Sequence, residues 1–181
     1  MSETSDSRRS STVYLSEMND FDALMIYRLF LSSNPKRLTC RPIVELSEQE
    51  VLARSRDRKQ NHYMRDFAVR RESDNSLLGR VTYFDHNPRN RTAEIGFMID
   101  QEFRRNGYAF EAMQLLLKFL FNDLGLNKVM AQTGEFNDAS IALLKKLGFK
   151  QDGRLRQHHE LDGELYDDLL FSILAEEFKL N

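Results

Sequence analysis

Arg104, Gly107 and Ala109 stand in the spacing Arg-x-x-Gly-x-Ala inside Gln101-Glu-Phe-Arg-Arg-Asn-Gly-Tyr-Ala-Phe-Glu-Ala112, where a polar turn gives way to an apolar run reaching Leu124. The chemistry this spacing suits is anion binding. The first amides of a helix have no carbonyl partners, and the helix dipole gathers partial positive charge among them. A side chain in place of Gly107, or a larger one at Ala109, would hold a phosphate away from those amides. Arg104, Arg105, Asn106, Gly107, Tyr108 and Ala109 are therefore the candidate anion-binding residues. Neither Gly-x-x-x-x-Gly-Lys-Ser/Thr, for a nucleoside triphosphate, nor Gly-x-Gly-x-x-Gly, for a dinucleotide, is present.

Three further groups carry titratable or ligating side chains. Glu94 lies on a predicted strand over Thr92 to Ile99, in the opposite parity to Ala93, Ile95, Phe97 and Ile99. His158-His159 raises a metal reading. Neighbours on a strand point to opposite faces, so the two imidazoles are not expected to share an ion, and no metal is expected. Glu160, Asp162, Glu164, Asp167 and Asp168 crowd negative charge around a predicted hairpin, either as a solvated edge or as an attractant for a cationic amine.

The chain resembles the GNAT superfamily of N-acetyltransferases. The resemblance is carried by Glu94-Ile-Gly-Phe97, by Arg104-x-x-Gly107-x-Ala109, by Asn137-Asp-Ala-Ser140 followed by Leu147-Gly-Phe149, and by Asp152-Gly-Arg-Leu-Arg156, in matching order over roughly residues 12 to 176. The last segment is similar to the ribosomal-protein-alanine N-acetyltransferase branch. The resemblance implies that acetyl-coenzyme A is the co-substrate, with its pyrophosphate on the Arg104–Ala109 turn. It also implies that the pantetheine arm pairs with strand atoms around Phe97, Met98 and Ile99 and meets Asn137. It makes Glu94 the candidate general base, direct or through water, and Ser140 the candidate hydrogen-bond partner of the sulfur. Many members carry a tyrosine acid a few residues after the serine; this chain has Leu143 and Leu144 there.

The implied reaction is direct attack of a primary amine in a ternary complex, the protein N-terminal amine being favoured. A polyamine or amino-sugar acceptor is the alternative, and a non-catalytic coenzyme A-binding module is the reading from another class. A homodimer is compatible with any of these.

These residues need elements to position them. Asn19 or Asp20 can cap a helix in which Phe21, Leu24, Met25, Arg28, Leu29 and Ser32 trace helical spacing, ended by Asn34-Pro35. Ser47-x-x-Glu50 is a capping box that opens a polar helix to about Lys59. Strands are predicted over Thr12–Leu15, Asp66–Arg71, Leu77–Phe84, Thr92–Ile99 and Lys128–Thr133, with a final hairpin of Gln151–Leu161 and Glu164–Leu174 around Asp162-Gly163. The run from Ala109 to Phe121 is wet only along Glu111, Gln114, Lys118 and Asn122, a helix packed on most of its circumference, with Gly125 able to cap its far end. Asn137 caps a short helix ending at Gly148. The predicted class is α+β: a twisted, mostly antiparallel sheet of about six or seven strands, flanked by about four helices.

At 181 residues with 41% hydrophobic side chains, a single domain over residues 12–181 is expected behind a disordered Ser-rich tail at residues 1–11. A formal net charge of -2 argues against nucleic acid and anionic membrane as partners. Absence of a long apolar run or leader, and a single Cys40, lead to a cytoplasmic expectation.

Overall fold

Residues 11–179 are described in a computed structural model. The tail expectation falls almost wholly on residues 1–10, outside the described residues. The elements are β1 (Val13–Glu17), α1 (Asp20–Ser32), α2 (Glu48–Gln60), β2 (Arg65–Arg71), β3 (Leu77–Asn87), β4 (Thr92–Ile99), α3 (Tyr108–Lys118), β5 (Lys128–Gly134), α4 (Asp138–Lys146), β6 (Lys150–Leu161) and β7 (Glu164–Leu174). They build one seven-stranded sheet in the order β1-β2-β3-β4-β5-β7-β6, antiparallel everywhere except between β4 and β5. Among the described residues no helix is long and apolar enough to cross a membrane.

Strand alternation sorts the sheet into two faces. Val69, Val81, Ala93, Ile95, Ile99, Val129, Ala131, Leu169, Phe171 and Ile173 turn to one side, where Ala112, Met113, Leu116 and Leu117 of α3 and Leu144 of α4 complete the main core. On the other side Ala68 and Met98 meet Ala23, Ile26 and Val51 of α1 and α2 in a smaller cluster. The thinner packing there leaves room over the middle of the sheet.

One local expectation is corrected. The apolar stripe traced on α1 is not its buried face: Phe21 and Met25 are 68% and 40% exposed, whereas Asp22, Ala23 and Ile26 are buried. The cause is Asp22. Its carboxylate accepts from the Asn19 amide at 3.1 Å, closing a capping box, and takes both of its oxygens to Arg70 Nη2 at 2.6 and 2.8 Å. That pair sets the rotation of the helix. Asp22→Asn is expected to lower stability by about 2 to 3 kcal/mol in chemical denaturation. This is less than for a fully enclosed pair, because the Arg70 side chain keeps 15% exposure and can draw water.

The helix begun by α3 widens in its last turn and ends at Gly125, the cap expected from the sequence. It passes into a π turn over Phe119–Asp123 before Gly125 adopts φ 65°. The wide turn lets Phe119 lie edge-on to Phe67, 5.6 Å between ring centroids, while Leu120 stays buried.

Candidate active site

The Arg104–Ala109 turn lies at the end of β4, where the chain crosses to α3. Arg105 and Gly107 both sit at positive φ, 64° and 85°. Arg104 Nε donates to the Ile99 carbonyl at 3.0 Å, and Asn106 Nδ2 donates to the carbonyls of Phe103 and Arg104 at 3.2 and 3.1 Å. These bonds hold the turn from the inside. Among the described residues no acceptor meets the amides of residues 105–109. Arg104 to Gly107 are exposed, and a Cβ built on Gly107 would meet nothing within 4 Å. The donors are therefore free and the space before them is open, which fits a diphosphate.

Between this turn and the sheet centre, β4 and β5 part. They pair only over Thr92, Ala93 and Glu94 with Lys128, Val129 and Met130, so Ile95–Ile99 have a sheet neighbour on the β3 side alone. Phe97, Met98 and Ile99, named from the sequence, thus present a strand edge inside the sheet. The Met98 and Ile99 side chains are buried in opposite cores, so it is their backbone that borders the gap.

A cavity of about 310 Å³ opens beside the gap on the α1/α2 face. Its floor comes from the strands: Thr82 and Phe84 of β3, Glu94 and Gly96 of β4, Gln132 and Gly134 of β5, Asp168 of β7 and His159 of β6. Its wall is Phe30 of α1 with the loop segment from Arg37 to Arg41. Burial pushes the Glu94 carboxyl up, with Asp85 adding to the effect and Arg41 opposing it. A carboxylate with raised proton affinity is suited to accept a proton near neutral pH.

The opposite wall comes from the last hairpin, where the sequence named His159 and Asp168 but not their pairing. Asp168 and His159 are 1% and 3% exposed, and His159 Nδ1 lies 3.1 Å from Asp168 Oδ1. Asp168 Oδ2 accepts from Gln132 Nε2 at 2.6 Å, and His159 Nε2 reaches the Lys36 carbonyl at 2.5 Å, tying the wall loop to the last hairpin. Cys40 completes the group, exposed at the cavity mouth; partial desolvation and the neighbouring Asp168 carboxylate push its thiol up. The acidic hairpin therefore does not act as one charged cluster. Asp167 is bound by Arg154, Glu160 by Lys36 and the Gly163 amide, Glu164 by the Tyr166 hydroxyl, and Asp168 turns inward. The signal available in the sequence was Asp168 itself, which shares its strand parity with Leu170 and Ser172 and is followed by an apolar run.

Asn137 and Ser140 stand outside this cavity, at the start of α4. The Asn137 side chain accepts from the Ser140 amide at 3.2 Å, the cap expected from the sequence. Leu143 and Leu144, in the place of the family's tyrosine, pack into the main core.

The comparisons agree with this architecture. The model of the acetyltransferase (GNAT) domain family matches residues 13–150. Among curated proteins, the chain is 36% identical over 110 residues to the SPbeta prophage-derived uncharacterized N-acetyltransferase YokL of Bacillus subtilis, covering 61% of this chain and 62% of that one. It is 26% identical over 107 residues to the spermidine N(1)-acetyltransferase of Escherichia coli K12, covering 59% and 58%. The chain thus spans about three fifths of the length of both relatives. Among solved structures, spermidine N-acetyltransferase from Vibrio cholerae in complex with CoA and spermine superposes with a TM-score of 0.86 at 23% identity, over 93% of this chain and 98% of that one. With the family model matching most of its length and the sheet parting beside an open turn, this chain belongs to the GNAT acetyltransferase family.

Proposed function

We propose that the protein moves an acetyl group from acetyl-coenzyme A to a primary amine of a small polyamine-class acceptor, by direct attack in a ternary complex. The observation that carries this reading is the parting of β4 and β5, which puts a strand edge between the open anion turn and a cavity floored by Glu94. The diphosphate would lie on the amides of residues 105–109, and the pantetheine arm along the free edge of Phe97 to Ile99. The amine nitrogen attacks the thioester carbon and the carbon–sulfur bond breaks. The amine proton passes to Glu94, directly or through water, and the thiolate takes a proton, with the Ser140 hydroxyl as its candidate partner. Holding two reactants in line supplies much of the rate, so few special side chains are needed.

The polyamine class is preferred over the protein N-terminal amine on two grounds. Spermidine N-acetyltransferases recur among the relatives by sequence and by fold. Two carboxylates, Glu94 and Asp168, face the cavity; of the guanidiniums lining it, Arg58 and Arg80 are paired with Asp66, Arg41 with Asp85, and Arg37 lies over the Phe136 ring. Thiol release measured with spermidine, an amino sugar and short peptides with free N-termini is expected to give the highest kcat/KM with spermidine. Preference for a peptide would overturn the acceptor class. Tight coenzyme A binding with no turnover on any of them would leave a binding module instead of an enzyme.

A further inference from the structure

We infer that Cys40, His158 and Asp168 form a zinc site on the wall of the acceptor cavity. One donor atom from each lies within 4.8 Å of the others. Strand alternation would have kept His158 away from Asp168, but β6 is bulged there. Gln157 takes φ 51° and the register with β7 shifts between Leu155 and His159, so both histidines come beside one carboxylate.

The donor set is thiolate sulfur, imidazole nitrogen and carboxylate oxygen, the set zinc prefers. Its two negative charges offset the two positive charges of the ion. Asp168 is already oriented as a ligand. His159 holds one oxygen and Gln132 the other, and each oxygen keeps a lone pair free. His159 is itself fixed by the Lys36 carbonyl. Cys40 and His158 are exposed and can rotate toward the fixed carboxylate. A tetrahedral zinc with bonds of about 2.0 to 2.3 Å needs ligand atoms about 3.3 to 3.8 Å apart, a contraction that side-chain rotation can supply. Binding releases the Cys40 proton to solvent and leaves a fourth position for water. Since Cys40 and Asp168 both line the cavity, the ion and the acceptor exclude one another there.

The test titrates the full chain with Co²⁺ as a spectroscopic stand-in for zinc, under reducing conditions. One equivalent is expected to produce a sulfur-to-cobalt charge-transfer band with tetrahedral visible bands, all bleached by Zn²⁺. Cys40→Ser should abolish the charge-transfer band, and His158→Ala should weaken Co²⁺ affinity at least about 10-fold, with thermal melts of both variants checked against the parent. Identical spectra for the parent and Cys40→Ser, or unchanged affinity in His158→Ala, would overturn the site. The inhibition arm alone rests on the acceptor reading given above. Zn²⁺ is expected to raise KM for the amine while coenzyme A affinity stays the same. Metal bound through Cys40 with no change in KM would keep the site and overturn its overlap with the acceptor.

Discussion

Gly107→Val is expected to weaken coenzyme A binding by at least about 100-fold, close to 3 kcal/mol, in calorimetric titration. Two effects act together. A β-branched residue at φ 85° costs about 1 to 3 kcal/mol, which the turn relieves by rotating its amides out of register. If the turn holds its shape instead, the isopropyl group fills the open space in front of those amides. Either way the diphosphate loses donors. The helix behind survives, because Ala112, Met113, Leu116 and Leu117 are fully buried against the sheet. The melting temperature should fall by only a few degrees. Normal coenzyme A affinity in a folded variant would place the anion site elsewhere.

Glu94→Gln is expected to lower kcat by about 100- to 1,000-fold, the usual contribution of a positioned general base, while coenzyme A affinity stays within about twofold. The split between the two follows from geometry: Glu94 lies on the cavity floor, away from the turn that takes the diphosphate. The pH profile supplies a second readout. The active form is the carboxylate, and burial raises its proton affinity, so activity in the parent should decline on acidification at a higher pH than a free glutamate would give. That limb should vanish in the variant. A parent-like profile in Glu94→Gln would assign the base to another group.

The turn at residues 104–109 and its flanking elements were legible in the sequence because local rules fix them. Thr92–Ile99 came out with the bounds read from alternation, and Asn19, Ser47 and Asn137 each cap the helix expected. Asp162 and Gly163 take the positive φ values of a tight hairpin turn, 54° and 89°. What local rules could not give was side-chain direction set by distant partners. Asp22 turns α1 because Arg70, far along the chain, is beside it. The bulge at Gln157 sets two neighbouring histidines against one aspartate, where alternation predicts one. The wall of the cavity joins Cys40, Gln132 and Asp168, brought together only once the strand order is settled.

The short seam between β4 and β5 makes the sheet two leaves on a common spine. Along the opened margin a thioester carrier would be read by main-chain groups, which every residue type supplies. The side chains at those positions can drift while the strand stays extended. On the proposed reading, acceptor choice would instead be written in side chains on the wall loop and the last hairpin. One half of the binding task would thereby be insulated from mutations that retune the other, and a single scaffold could change the amine it modifies without relearning its donor.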